Sequence, residues 1–232
     1  MVPAVAFNKR TRENFYVIIP AHNEAAHIGA VLERTRKLVA PKKIIVVDDG
    51  SRDNTAQEAK KHNVTVLRQV INVGKGSALR TGSIYACGKG AESLIYIDGD
   101  GQHDPEDLPR ILTALKGNEI VFTFRERKSN NMPLVKKIGN DLIDVLMSVL
   151  FHIEVQDTQC GYKAMTRAAY EKMKLISNDY SIESEMVAKT GKYKLKFAQV
   201  PIKTIYADRY KGTTIFDGIN IVMKMLWWKI AR

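Results

Sequence analysis

An α/β fold, a mostly parallel sheet with helices on both faces, is predicted for this 232-residue chain by two patterns. Short β-branched runs alternate with helical stretches, and the loops after the runs are polar and rich in Asp and Gly. Buried parallel strands read as near-continuous apolar runs. Residues 15–19 and 43–47 have that form, ending at Pro20 and at Asp48 and Asp49. Helical patterns follow each. Residues 24–38 set Ile28, Val31, Leu32 and Leu38 on one stripe, and Ser51 is placed to cap a helix over 52–62. Further strands are predicted at 64–67, 94–97 and 119–124, with helices at 77–87 and 105–116 between them.

The pattern changes after residue 125, where a basic polar stretch leads through Pro133 into a helix over 134–151. That helix is apolar over much of its circumference, so it belongs in the core or against a partner or lipid. A short α+β section runs to about 206, and a final helix over 214–231 closes the chain. The final helix sets Ile215, Ile219, Val222, Met223, Leu226 and Ile230 on one face, with Asp217, Asn220 and Lys224 opposite. Trp227, Trp228, Lys229 and Arg232 near its end suit a membrane interface, while Lys224 in the middle argues against spanning. Core packing is the alternative. The expected division is a main domain over 1–212, which includes the 134–151 helix, and an amphipathic membrane-interface helix over 213–232, of which 214–232 can be deleted without unfolding the rest.

Composition narrows the function classes. Two cysteines, Cys87 and Cys160, are too few for a disulfide scaffold and lack zinc spacing, so a reducing compartment is expected. The five histidines show no metal-ligand spacing either. A net charge of +11 implies an anionic partner, whether nucleic acid, a phosphorylated substrate or an acidic membrane. No helix-turn-helix or RNA-binding signature is present, so nucleic acid is not expected. The apolar residues 2–7 are followed, not preceded, by basic residues, which does not fit a secretory signal. No apolar run approaches the roughly 18 residues of a membrane span.

The most informative stretch is 93–102, where an apolar strand pattern runs into Asp98-Gly99-Asp100. Asp-Gly-Asp is also ordinary turn chemistry. At the carboxyl end of a strand in an open α/β sheet, however, it lies where ligands bind. Two carboxylates suit a hard divalent cation completed by water and substrate phosphate. Two more loops, 20–24 and 48–53, fall at the ends of earlier strands and would converge on the same edge. So many acids need balancing cations, and Lys75 is the candidate. Lys75 lies in 72–77, which fails as a Walker loop because Gln69 and Gly76 stand at required Gly and Ser/Thr positions. It fails as a dinucleotide fingerprint at Leu79. What remains is a flexible turn with a cation and free amides at a helix N-terminus, suited to an anion.

Four segments in this order, VIIPAHNE, IIVVDDGSRDNT, NVGKGSALRTG and YIDGDGQHDPEDL, resemble the family-2 inverting glycosyltransferases of the GT-A fold, over about residues 15–210. The resemblance implies donor-binding roles for Pro20, Ala21, His22, Glu24, Asp48, Asp49, Lys75, Asp98 and Gly99. It implies Mg²⁺ or Mn²⁺ at Asp98, Asp100 and Gln102, with Asp100 the principal ligand. Within the family the likeness is greatest to enzymes that glycosylate dolichyl or polyprenyl phosphate. HDPEDLPRIL is typical of that group, and residues 157–163, DTQCGYK, look like the dolichyl-phosphate glucosyltransferase version. GDP-mannose enzymes tend to carry Arg, Gly three residues on and Lys three further. Arg209 and Gly212 match, but Ile215 replaces the lysine, which favours a UDP-sugar.

A phosphate acceptor also makes physical sense. A phosphate monoester has a second pKa near 6, so it is already a nucleophilic anion at neutral pH. It needs cations and no strong base, whereas a sugar hydroxyl needs a positioned carboxylate. Arg125, Arg127, Lys163 and Arg209 are the candidates for the acceptor phosphate, Arg125 foremost. Outside Arg125 and Arg209, a solvated surface is the simpler expectation for any single cation. The same holds for Glu183 and Glu185 on a predicted helix, although they could approach the acceptor. His103 and Asp104 are placed to cap the helix near Pro105. The expectation is therefore a peripheral enzyme on the cytoplasmic face of a membrane, with Asp100 and Arg125 catalytic. It would transfer glucose or N-acetylglucosamine from UDP to dolichyl or polyprenyl phosphate. The alternatives are GDP-mannose as donor, a glycan hydroxyl as acceptor, and a nonenzymatic nucleotide-binding scaffold, which would lack metal-dependent turnover.

Overall fold

A computed structural model describes residues 14–125, 134–203, 205 and 215–230. Strand and helix alternate through the first part: β1 (Phe15–Ala21), α1 (Ile28–Arg36), β2 (Ile44–Asp48), α2 (Thr55–Lys60), β3 (Thr65–Arg68), α3 (Lys75–Gly88), β4 (Ser93–Tyr96) and α4 (Leu108–Leu115). The second part holds β5 (Ile120–Arg125), α5 (Leu134–Phe151), β6 (Lys163–Thr166), α6 (Arg167–Met173), α7 (Ile182–Lys192), β7 (Phe197–Ile202) and α8 (Ile215–Ile230). The seven strands form one sheet in the order β3-β2-β1-β4-β6-β5-β7. All neighbours are parallel except β6, which runs antiparallel to both β4 and β5.

Two cores follow from the two-residue period of the strands. Val17, Ile19 and Ala21 of β1 face one way, into a cluster with α1, α2 and α4. Tyr16 and Ile18 face the other way, into a larger cluster with α3, α5, α6, α7 and α8. Gly82 lets α3 lie close on the sheet, since a Cβ there would overlap Ile18 and come within 3.1 Å of Val47 Cγ2.

Helix starts differ from the sequence expectation where loop residues hold one another instead of a helix. The helix expected from residue 24 begins at Ile28, because Asn23 is left-handed (φ 55°) and 24–27 form a turn. Ser51 caps no helix: its Oγ accepts the Asn23 N–H at 2.9 Å, and α2 starts only at Thr55. The stretch from Pro105 opens as a 3₁₀ turn capped by Asp104, which accepts the Glu106 N–H at 2.9 Å, before α4 begins.

Both apolar helices in the second part are two-sided. In α5, Ile143, Met147 and Phe151 are buried while Leu142, Val145 and Val149 are exposed. In α8, Ile221 and Met225 enter the larger core while Ile219, Met223, Leu226, Trp227 and Ile230 face outward. Lys224 Nζ donates to Asp179 Oδ2 at 2.7 Å and to Ser181 Oγ at 3.0 Å. The helix expected to be separable thus contributes Ile221 and Met225 to the larger core, and we propose that deleting α8 would open it. Met225→Ala should cost about 2–5 kcal/mol, whereas exposed Met223→Ala should stay within about 0.5 kcal/mol. Urea unfolding of both variants checks this, and equal losses would show that α8 does not pack as described.

Candidate active site

Parallel pairing brings the ends of β1, β2 and β4 to one edge. Ala21 is in register with Asp48, and Ala21 O accepts the Asp49 N–H at 2.9 Å. A cavity of about 750 Å³ opens there. Its wall includes Pro20, Ala21, His22, Glu24, Asp49, Lys75, Asp98, Gly99, Asp100, Gln102 and Arg125, so most of the sequence-predicted residues are brought together.

Within the first two loops, His22 Nδ1 lies 2.8 Å from Asp49 O, so that nitrogen carries the proton. Glu24 Oε2 is 2.8 Å from His27 Nδ1. Asp49 accepts the N–H groups of Val73 and Gly74, both at 2.8 Å, and so fixes the turn before α3. The sequence expectation of free amides in that turn is corrected at these positions. Ser77 N–H is also taken, by Asn178 O at 3.1 Å. Asp48 does not line the cavity. It is fully buried, accepts the Ser51 N–H at 3.0 Å and lies 3.2 Å from Arg68 Nε, which makes it a brace for its own loop.

The third loop carries the strongest electrostatics. Asp98 Oδ1 lies 2.6 Å from Lys75 Nζ, and Asp98 Oδ2 lies 3.4 Å from His103 Nε2. Burial pushes the Asp98 carboxyl up, but Lys75 and His103 more than reverse this and hold it well below the usual carboxylate range. Asp100 goes the other way, raised by burial and by the Asp98 charge beside it, although it accepts the Gln102 N–H at 3.0 Å. Burial disfavours the Lys75 ammonium too, yet Asp98 and Glu183 together keep it firmly charged.

These residues fit a hard divalent cation. Two carboxylates share one turn, and the strained charge on Asp100 is of the kind a cation relieves. Among the described residues no group of three or more His, Cys, Asp or Glu forms a protein cage. Two carboxylates completed by substrate oxygens and water would suit Mg²⁺.

The second part of the chain supplies the opposite wall. Arg125, at the end of β5, is gripped by Asp157, with Nε to Oδ2 at 2.7 Å and Nη2 to Oδ1 at 3.1 Å. Lys163 was a candidate for an acceptor phosphate, or else for the surface. It is fully buried instead, away from the cavity, and donates to Glu183 and to the carbonyls of Cys160 and Thr158. Arg127 and Arg209, with Gly212, lie outside the described residues.

Glu183 and Glu185, expected on an exposed helix face, are both buried. Glu183 Oε1 meets Lys75 at 2.9 Å. Glu185 receives the Ile176 and Ser177 N–H groups and the Lys189 ammonium. His103 turns to Asp98 and does not cap, a role left to Asp104. Gln159, Gly161, Asp179 and Tyr180 also line the cavity and were not anticipated as site residues. Gly161 had a readable signal, since a glycine inside an otherwise bulky stretch often marks a close approach.

Known proteins resemble this chain over most of its length. The model of the Glycosyl transferase family 2 matches residues 16–174. An uncharacterized protein of Methanocaldococcus jannaschii is 36% identical over 96% of this chain and 95% of its own. The UDP-N-acetylglucosamine–dolichyl-phosphate N-acetylglucosaminyltransferase of Methanococcus voltae is 31% identical over 94% of this chain and 96% of its own. The dolichol-phosphate mannosyltransferase of Pyrococcus furiosus is 30% identical over 92% of this chain and 64% of its own. The glucosyl-3-phosphoglycerate synthase of Mycobacterium tuberculosis, solved with Mn²⁺, UDP-glucose and phosphoglyceric acid, superposes with a TM-score of 0.73. At 22% identity, covering 93% of this chain and 79% of that one, it shares the GT-A fold.

A Cβ on Gly161 would collide with the Asp98 carboxylate. Gly161→Ala should therefore cost about 1–3 kcal/mol in urea unfolding. Loss of less than about 0.5 kcal/mol would mean that the approach of residues 157–163 to Asp98 is looser than described.

Proposed function

Because this chain belongs to glycosyltransferase family 2, we propose that it moves one sugar, with inversion, from a nucleotide sugar to dolichyl or another polyprenyl phosphate. The observation that carries the acceptor class is the state of the cavity carboxylates beyond the Asp98 and Asp100 pair. Glu24 faces His27, Asp49 holds two N–H groups, Asp179 holds Lys224, and Glu183 lies between two lysines. Each is committed, so among the described residues none of these stands ready to take a proton from a sugar hydroxyl. A phosphate monoester needs no such base. The names of the Methanococcus voltae and Pyrococcus furiosus relatives support the same acceptor class.

The acceptor phosphate oxygen attacks the anomeric carbon from the face opposite the nucleotide, and the bond from that carbon to the diphosphate breaks. Arg125, held in its orientation by Asp157, would place its guanidinium against the acceptor phosphate. Lys75 would face the departing diphosphate, and His22, Glu24 and Asp49 would shape the nucleoside end. Asp98 and Asp100, beside Gln102, would hold Mg²⁺ or Mn²⁺, whose charge stabilises the leaving diphosphate. A UDP-sugar, UDP-glucose or UDP-N-acetylglucosamine, is favoured by the donor that the Methanococcus voltae relative is named for and by Ile215 in place of a lysine. GDP-mannose is the second reading, since the Pyrococcus furiosus relative is named a mannosyltransferase.

Among the described residues no helix is long and apolar enough to cross a membrane. Access to a lipid would be peripheral, at the cytoplasmic face where nucleotide sugars are available. The outward stripe of α8, with Met223 and Trp227, supports that contact.

Incubated with dolichyl phosphate, Mg²⁺ or Mn²⁺ and a panel of UDP- and GDP-sugars, the protein should yield a lipid-linked monosaccharide by mass spectrometry. Asp100→Ala should lower kcat at least about 100-fold. Arg125→Ala should raise the KM for the lipid phosphate about 10-fold or more while leaving the donor KM nearly unchanged. Nucleotide release only on adding a glycan would move the acceptor to a hydroxyl. In flotation with anionic vesicles, the wild type should float and Met223→Glu/Trp227→Glu should remain below. Equal flotation of the two would remove α8 from the contact.

A further inference from the structure

Four side chains form one buried line of alternating charge, Lys163, Glu183, Lys75 and Asp98, that runs from the interior to the cavity. Lys163 is fully buried and paired with Glu183. Glu183 Oε1 lies 2.9 Å from Lys75 Nζ, and Lys75 Nζ lies 2.6 Å from Asp98 Oδ1. The line is electrically balanced, so Asp98 already has a cation. A divalent ion arriving alone at Asp98 and Asp100 must compete with the ammonium of Lys75. A nucleotide diphosphate changes the contest, because its oxygens offer Lys75 a new anionic partner in the same cavity. Glu183 keeps the ammonium at the wall while Asp98 is released.

We propose that Lys75, braced by Glu183 and Lys163, is an internal counter-ion that occupies Asp98 until metal and nucleotide diphosphate arrive together, so that each strengthens binding of the other. This inference rests on the proposed donor and metal site. Linkage requires the effect to be reciprocal: UDP tightens Mn²⁺ by the factor by which Mn²⁺ tightens UDP. Lys75 and Glu183 are positioning residues here, acting on the metal through Asp98.

The test is a titration of the full-length protein with Mn²⁺, followed by the free-ion electron paramagnetic resonance signal, with and without saturating UDP. The wild type should bind Mn²⁺ at least about 5-fold more tightly with UDP. Lys75→Met should bind Mn²⁺ alone more tightly than the wild type and UDP alone more weakly. Removing one member of a buried pair strands the other, whereas removing both is often tolerated. The double variant Glu183→Gln/Lys163→Met therefore keeps Lys75 but takes away its brace. With Asp98 as its remaining partner in the line, Lys75 should compete harder, and Mn²⁺ alone should bind more weakly than to the wild type. Opposite shifts in two folded variants are not produced by general loosening, which would weaken both. If Lys75→Met fails to fold, the double variant decides, and unchanged or tighter Mn²⁺ binding by it overturns the proposal. Equally, a folded Lys75→Met whose Mn²⁺ affinity is unchanged or reduced overturns it. A wild type that binds Mn²⁺ and UDP independently overturns the inference and leaves the donor reading standing; one that binds neither overturns both.

Discussion

The ion pair between Lys75 and Asp98 is the interaction on which the arrangement of the site depends. A parallel sheet delivers Asp48, Asp49, Asp98 and Asp100 to one edge, and in a partly desolvated cavity that much negative charge is unfavourable unless countered. The structure counters it locally, a different way for each acid. Asp48 takes Arg68 and a backbone amide, and Asp49 takes two amides of the turn before α3. Asp98 takes Lys75, while Asp100 is left with its ionisation opposed. The residual imbalance sits at the position where a cation would be most useful.

Much of this was legible in the chain. The strands were legible because β-branched runs ending in Asp or Pro have few other uses, and β1, β2 and β4 fall within a few residues of their predicted places. The three acidic loops were legible because strand ends in a parallel sheet share an edge. What was hidden depended on tertiary pairing. Asp48 and Asp49 are adjacent and chemically identical, yet one braces a loop and the other faces the cavity, a difference set by which way the chain turns after β2. Lys163 and Glu183 lie 20 residues apart in the sequence and look like surface residues singly. Their burial is tolerated because Glu183 is neutralised between Lys163 and Lys75.

Antiparallel β6 explains how the second part of the chain reaches the site. Inserted between β4 and β5, it places Tyr96 opposite Lys163 and brings residues 157–162 back across the cavity edge. Gly161 then rests against Asp98, and Asp157 reaches Arg125. An all-parallel sheet would have sent this connection to the opposite edge, leaving Arg125 without its carboxylate partner.

The distribution of exposed apolar side chains gives the molecule a direction. Among the described residues, the large exposed ones lie on α3, α5 and α8, on the loops before α3 and α7, and at Ile205. None lies on α1, α2 or α4, which cover the other face of the sheet and present polar surfaces. Scattered apolar exposure is ordinary on a protein surface, but repeated exposure along α5 and α8 is more than scatter, and Ile205, whose N–H is taken by Gln102 O, lies apart from it. Val73 and Tyr180, also exposed, line the cavity wall. Lys224 joins α8 to it, because the helix that carries the outward stripe also donates to Asp179 on that wall. On the proposed reading, a phosphate on a hydrocarbon chain would present its head to Arg125 while its tail stayed out of water. Under that proposal a lipid-borne acceptor accounts for the exposed stripes of α5 and α8 and for the committed carboxylates together.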